Sequence, residues 1–277
     1  MDTQTAAKLD DLRRNIGSLG GALVALSGGV DSTLVACIAS QELGANAIAV
    51  TSGSRSLKRD DLQLACNITS DWGMQHLVIE TDELDHADYA RNPVNRCYYC
   101  KSTLYTEMRR IAGDRRIHWI LNGTNVDDLG DHRPGLLAAE EQQVRSPLVE
   151  CGIRKAEIRE IAAHLGLKNA GKPQAACLSS RIPYGTPVTA ELLDRIERAE
   201  SALSTIGFTQ FRVRHHGEVA RLELIPTEFQ MAVERRSTIV DALKALGYQF
   251  ISLDLQGFRS GALNYATERV IPINVCR

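Results

Sequence analysis

The sequence predicts an α/β protein, a doubly wound parallel sheet over most of the chain followed by a second, smaller α+β domain. Three observations predict it. Short apolar runs alternate with amphipathic helical stretches over residues 1–170, the signature of parallel strands joined by right-handed helical crossovers. One run, Ala22-Leu23-Val24-Ala25-Leu26, ends in Ser27-Gly28-Gly29-Val30-Asp31-Ser32 and passes directly into a second apolar, helical stretch. From Asn169 to Pro187 the periodicity disappears into Gly, Pro, Ser and single cations, which reads as a long functional loop between two domains.

Each element follows from its local pattern. Residues 5–19 place Leu9, Leu12, Ile16 and Leu19 at helical spacing and stop at Gly20-Gly21. Residues 22–26 are a buried strand, and a helix runs from Thr33 to Leu43, where Gly44 ends it. Residues 47–51 form the second strand and feed the loop Ser52-Gly53-Ser54-Arg55-Ser56, at the strand end where such sheets bind ligands. A helix over 57–72 and a strand over 76–80 come next, then a polar stretch and a helix from Cys97-Tyr98-Tyr99-Cys100-Lys101 to Ala112. The strand 119–121 empties into Asn122-Gly123-Thr124-Asn125-Val126-Asp127-Asp128. A short strand at 144–146 and a helix with Ile158, Ile161, Ala162 and Leu165 on one face complete the first domain, 1–170.

Residues 171–187 are the linking loop and contain Cys177. The domain 188–277 is expected to hold a helix at 190–203, hairpin strands 211–214 and 220–224, helices near 227–235 and 237–246, and a strand at 250–255. It is the expected region for substrate and oligomer contacts, and a homo-oligomer is anticipated. Its tail beyond Gly257 carries no readable pattern.

Composition narrows the function. With 277 residues, 44% hydrophobic and 24% charged, the chain suits about two soluble globular domains. A net charge of −2 argues against a general nucleic-acid binder, though not against a local basic pocket. The N-terminus lacks the basic start and apolar core of a signal peptide, and no apolar run approaches membrane-spanning length. Seven irregularly spaced cysteines in a chain this large fit a reducing cytoplasm, where a working cysteine acts as a thiolate or a metal ligand.

The chemistry starts at the glycine turn. A strand ending in glycines at a helix N-terminus gathers backbone N–H groups under a positive dipole end, so phosphate is the expected guest, with Ser27 and Ser32 adding hydroxyls. It is not a Walker loop: the Gly-Lys-Ser/Thr ending is missing and no lysine is nearby in sequence. Asp31 in the first helical turn reads equally as a capping acid or a Mg²⁺ ligand, and Asp127 and Asp128 as a polar turn or as hard oxygen donors beside a triphosphate.

Cys97 and Cys100 have a spacing that suits zinc, a redox dithiol or an iron–sulfur cluster. With Cys177 they would make three thiolate ligands, leaving one iron of a [4Fe-4S] cluster open to carry a sulfide; the alternative is three buried or solvated thiols. Cys37 and Cys66 fall in helical runs and Cys151 in a turn, where packing is the better reading, and Cys276 has no assignable role. The strand period of two puts Arg212 and Arg214 on one face, opposite Phe211 and Val213. Together with Ser180 and Arg181 they suit an anionic substrate; the competing reading is a solvated face neutralised by Glu218, Glu223 or Glu200.

Ser27 to Ser32 resembles the PP-loop of the ATP pyrophosphatases, which split ATP between its α and β phosphates and adenylate an acceptor. That string, Asn95-Arg96-Cys97-Tyr98-Tyr99-Cys100-Lys101 and Cys177-Leu178-Ser179-Ser180-Arg181-Ile182-Pro183-Tyr184-Gly185 together resemble the LarE family over nearly the whole chain. The resemblance implies an ATP-dependent sulfurtransferase that adenylates pyridinium-3,5-biscarboxylic acid mononucleotide and replaces carboxylate oxygen with sulfur, towards the nickel-pincer nucleotide cofactor. Ser27, Gly28, Gly29, Asp31 and Ser32 would then bind ATP, with Asp127 and Asp128 near its Mg²⁺; Cys177 would deliver sulfur, helped by Ser180 and Arg181; Glu200, Arg212 and Arg214 would lie on the substrate side. Some members sacrifice the sulfur of that one cysteine. Cys97 and Cys100 set this chain apart and imply the members proposed to hold a [4Fe-4S] cluster, supplied by sulfide or another sulfur donor. Amidation, tRNA thiolation and non-catalytic ATP sensing are the rival readings.

Overall fold

A computed structural model describes residues 1–129, 134–173 and 176–259; Cys276 and the tail that follows Arg259 lie outside them. The chain forms two compact units, Met1–Tyr89 with Asn95–Ala175, and Ala90–Val94 with Ala176–Arg277. The division between the units falls between Ala175 and Ala176, and residues 90–94 group with the second unit.

The first unit is a parallel sheet between helices. Its strands, β1 (Ala22–Ala25), β2 (Ala47–Ser52), β3 (Gln75–Ile79) and β4 (Trp119–Leu121), are ordered β3-β2-β1-β4. The register pairs Ala22 with both Ala47 and Trp119. All four β1 residues are buried, as expected for a central strand covered on both faces. On one face α1 (Thr3–Gly17), α2 (Val30–Leu43) and α8 (Lys155–His164) pack Leu12, Ile16, Leu34, Ile38, Ile158 and Ile161 into one core. On the other, α5 (Arg96–Arg115) and α6 (Pro134–Glu141) bury Leu104, Tyr105, Met108 and Ala138 against Leu23 and Ile48. α3 (Arg59–Asp71) and the short α4 (Ala87–Ala90) and α7 (Pro147–Glu150) complete the elements that have a role below.

Two expectations change. The strand at 144–146 shrinks to one bridge, Leu121 with Arg145, because Pro147 starts α7 and ends the pairing two residues on. α2 begins at Val30 rather than Thr33, so Asp31 and Ser32 belong to its first turn.

The second unit is a three-stranded sheet, β5 (Phe211–His216), β6 (Val219–Leu224) and β7 (Phe250–Leu253), with β5 antiparallel and β7 parallel to β6. The helix α9 (Ala190–Ile206) is capped by Thr189, whose hydroxyl accepts from Leu192 N at 3.2 Å, and ends at Gly207 with φ +111°. It buries Ala199 and Leu203 with Val213, Leu222 and Leu224, and the small helices α10 (Phe229–Glu234) and α11 (Arg236–Lys244) close the core through Ala232, Ile239 and Leu243.

Candidate active site

The strand order reverses between β1 and β4, so the loops leaving these two neighbours meet at the carboxyl edge of the sheet, the position where open α/β sheets bind ligands. The base of the first loop is clamped from β2: Leu26 N donates to Val50 O at 2.8 Å, and the Thr51 hydroxyl donates to Leu26 O at 2.8 Å. Gly28 has φ +73° and lies where a Cβ would come within 2.7 Å of the Asp61 carbonyl, so both its backbone angle and its close approach demand glycine. Ser32 braces the loop internally, accepting from Ser27 N and donating to Gly29 O, each at 3.1 Å. Gly29 caps α2 without a side-chain hydrogen bond, and helix geometry leaves the first amides of α2 directed outward for an acceptor.

The second loop presses against the first. A Cβ on Gly123 would stand 2.5 Å from Ser32 N, so the β4 loop touches the α2 N-terminus backbone to backbone. Among the described residues Asp31 has one paired and one unpaired oxygen. One carboxylate oxygen of Asp31 pairs with Lys155, while Oδ1 is buried with no partner among the described residues. Burial raises the Asp31 pKa, and the nearby negative charge of Asp128 adds to that, against the lowering by Lys155. A half-buried carboxylate with an orphaned oxygen and a second acid nearby fits Mg²⁺. Asp127 is differently used: Arg154 Nη1 donates to its Oδ1 at 2.7 Å and Lys155 N to its Oδ2 at 2.8 Å. Its pKa is lowered, chiefly by that Lys155 amide. Asp128 also accepts from Asn125 N at 3.2 Å through Oδ2, closing a capping box.

The loop has lysines after all. Lys155, from α8, and Lys172 reach it through the fold: Lys172 Nζ stands 2.6 Å from Asp61 Oδ1 and 3.4 Å from Gly28 O. Asn169, also unmarked by the sequence reading, donates from Nδ2 to Gly28 O at 3.1 Å and to Thr33 Oγ1 at 2.9 Å. All three lie more than 120 residues from their partners in the loop, so local pattern held no trace of them.

Cys97 lies in the first turn of α5 and Cys100 at the start of the next, three residues apart and therefore on one helix face near its N-terminus. Cys97 is exposed and Cys100 half-buried. Burial pushes the Cys37 thiol up to about 12 and raises Cys151, which sets both apart from ligand chemistry. Among the described residues no group of three His, Cys, Asp or Glu side chains is gathered for a metal; Cys97 and Cys100 belong to the first unit and Cys177 to the second.

In the second unit Cys177 opens the 3-10 turn Leu178–Arg181 with its side chain exposed. Its carbonyl is held three times, by Ser180 N at 3.0 Å, Ser180 Oγ at 2.7 Å and Arg181 Nη1 at 3.1 Å. Arg181 is itself clamped, Nε donating to Glu200 Oε1 at 2.8 Å with both side chains 3% exposed. Arg214 forms a two-point pair with Glu223, 2.9 Å for each contact, and donates from Nη1 to Ser180 O at 2.5 Å. The arginine face is thus buried rather than solvated: Glu200 and Glu223 do neutralise it, but inside the protein, while Glu218 bonds Gln249. Arg212 is left as the surplus cation. Among the described residues it has no ion pair, only Arg259 O at 3.0 Å and the Phe258 ring at 4.7 Å. Its pKa falls to about 10, first through burial and then through Arg181 and Arg214. Three buried arginines against two glutamates leave this cluster with a net positive charge, suited to an anion.

The chain is similar to known proteins. Residues 6–95, which include the glycine turn, match the NAD synthase family. The chain is 34% identical over 259 residues, 93% of its length and 91% of the relative, to the pyridinium-3,5-bisthiocarboxylic acid mononucleotide synthase of Lactiplantibacillus plantarum. This chain belongs to the LarE family. It is an ATP-dependent sulfurtransferase with a PP-loop domain. Other relatives are an uncharacterized protein of Synechocystis sp., 44% identical over 93% of this chain and 97% of that one, and an uncharacterized protein of Methanocaldococcus jannaschii, 27% identical over 86% and 90%. Among the described residues no helix is long and apolar enough to cross a membrane.

Proposed function

We propose that this LarE protein adenylates a carboxylate of pyridinium-3,5-biscarboxylic acid mononucleotide with Mg-ATP and exchanges the activated oxygen for sulfur in nickel-pincer nucleotide synthesis. The observation that carries this reading is the mounting of Cys177: a thiol exposed to solvent on a backbone fixed by Ser180 and by the buried Arg181–Glu200 pair. A merely structural cysteine has no need of such a pedestal, whereas a sulfur-delivering one must be both presented and held still.

The residues divide the work. The amides at the start of α2 and the Ser27 hydroxyl hold the phosphates, and Asp31 with Asp128 would hold Mg²⁺. The substrate carboxylate attacks the α-phosphorus, pyrophosphate leaves, and a sulfur nucleophile then displaces AMP from the acyl carbon. Arg212, with Arg214 and Arg181 behind it, would bind the anionic end of the substrate nucleotide, and the water-poor setting of these guanidiniums strengthens the attraction.

The spacing of Cys97 and Cys100 and the exposure of Cys97 and Cys177 favour these three thiols as ligands of a [4Fe-4S] cluster. Such a cluster supplies a replaceable sulfide, so that the protein turns over without consuming its own cysteine. Anaerobic reconstitution followed by iron and sulfide analysis tests this part: about four irons per chain are expected, and the Cys97→Ser/Cys100→Ser variant should bind little. Less than half a cluster per chain in the unaltered protein would return the sulfur source to Cys177 itself.

A further inference from the structure

The PP-loop lacks the lysine that phosphate-binding glycine loops of the Walker type carry, yet the fold brings an ammonium group to it. We propose that Lys172 is a phosphate-binding residue of this site, gripping the β,γ end of ATP that departs as pyrophosphate. The assignment rests on the ATP-dependent reading above and adds to it a residue that the loop motif does not contain.

Three features single out Lys172. Its ammonium nitrogen is 3.4 Å from the carbonyl of Gly28, in the middle of the loop, and its side chain is only 22% exposed. Its backbone is fixed there as well: Arg159 donates from Nη1 to Ala170 O at 3.0 Å and from Nη2 to Lys172 O at 2.9 Å, while Asn169 ties the same segment to Gly28 and Thr33. A lysine that merely solubilised a surface would not be anchored at both ends. Finally, an ammonium has three N–H donors, and Asp61 and Gly28 O take two, so one remains for a phosphate oxygen without loss of either contact.

The local charge balance points the same way. Lys155, the other lysine at the loop, pairs with Asp31, the carboxylate that would hold Mg²⁺. Amide dipoles and hydroxyls alone would face a polyanion, with Asp31 adding a negative charge beside them. Lys172 supplies a compact positive charge beside Gly28, shared with Asp61 in the first turn of α3.

Calorimetric titration of the full chain with ATP, inorganic pyrophosphate and AMP, at fixed Mg²⁺, tests the assignment. Lys172→Met is expected to weaken ATP and pyrophosphate by about tenfold while leaving AMP unchanged. Lys172→Arg, which keeps the charge, should stay within about threefold of the unaltered protein for all three, and Asp61→Asn, which frees the ammonium, should tighten ATP. Unchanged ATP and pyrophosphate affinity in Lys172→Met, or a parallel loss for AMP, would overturn the role of Lys172. Failure of the unaltered protein to bind ATP or pyrophosphate at all would instead overturn the nucleotide reading, and this assignment with it.

Discussion

Replacing Cys177 with alanine is expected to abolish sulfur transfer while leaving substrate adenylation and fold intact. The thiol is exposed, so no packed volume is lost, and stability should change by less than about 0.5 kcal/mol. The three contacts at this residue go to its carbonyl, from Ser180 N, Ser180 Oγ and Arg181, and all survive the substitution. Adenylation is proposed for the α2 N-terminus and the acids beside it, which belong to the other unit of the chain. Pyrophosphate release in the presence of the dicarboxylate nucleotide, measured alongside the thiolated product, separates the two steps. If pyrophosphate release disappears together with sulfur transfer, Cys177 has been given the wrong role.

Gly123→Ala should have an effect nearly as large by a different route. The added methyl would stand 2.5 Å from Ser32 N and 2.7 Å from Ser32 Cα, far inside contact distance and against backbone that has no rotamer to yield. The first turn of α2 must move, and with it the amides that face phosphate and the carboxylate of Asp31. Overpacking of this kind destabilises by about 1–3 kcal/mol. Displacing a binding cradle by about an ångström lowers the rate of the step it supports by on the order of a hundredfold. We therefore expect adenylation to fall to that extent in a protein that still folds, as judged by its melting transition. Full activity in a folded Gly123→Ala protein would show that the β4 loop does not set the position of the PP-loop.

The parallel sheet and the phosphate loop were legible because local chemistry specifies them: period, apolar runs and a glycine pair with one strained backbone angle. The residues that surround the loop were not. Lys155, Asn169, Lys172 and Gly123 owe their positions to strand order, which places the β4 loop and the chain around α8 beside β1. Sequence alternation aligned Arg212 with Arg214 but could not decide between water and the interior. Burial was settled by Glu200 on α9 and Glu223 on β6, partners that local pattern does not link to particular arginines. The strand expected at 144–146 failed for a local reason that was visible: Pro147 follows at once and starts a helical turn. Asp127 and Asp128 show the reverse, a pair of adjacent acids whose hydrogen bonds assign one to Arg154 and the Lys155 amide and leave the other near Asp31.

The most direct test of the central claim is mass analysis of both nucleotide and protein. Anaerobically prepared protein is incubated with Mg-ATP, sulfide and pyridinium-3,5-biscarboxylic acid mononucleotide. AMP, pyrophosphate and a product in which a carboxylate oxygen has been replaced by sulfur are expected, formed over repeated turnovers with Cys177 unaltered in mass. AMP formation without sulfur in the nucleotide, or no AMP at all with this substrate, would contradict that claim.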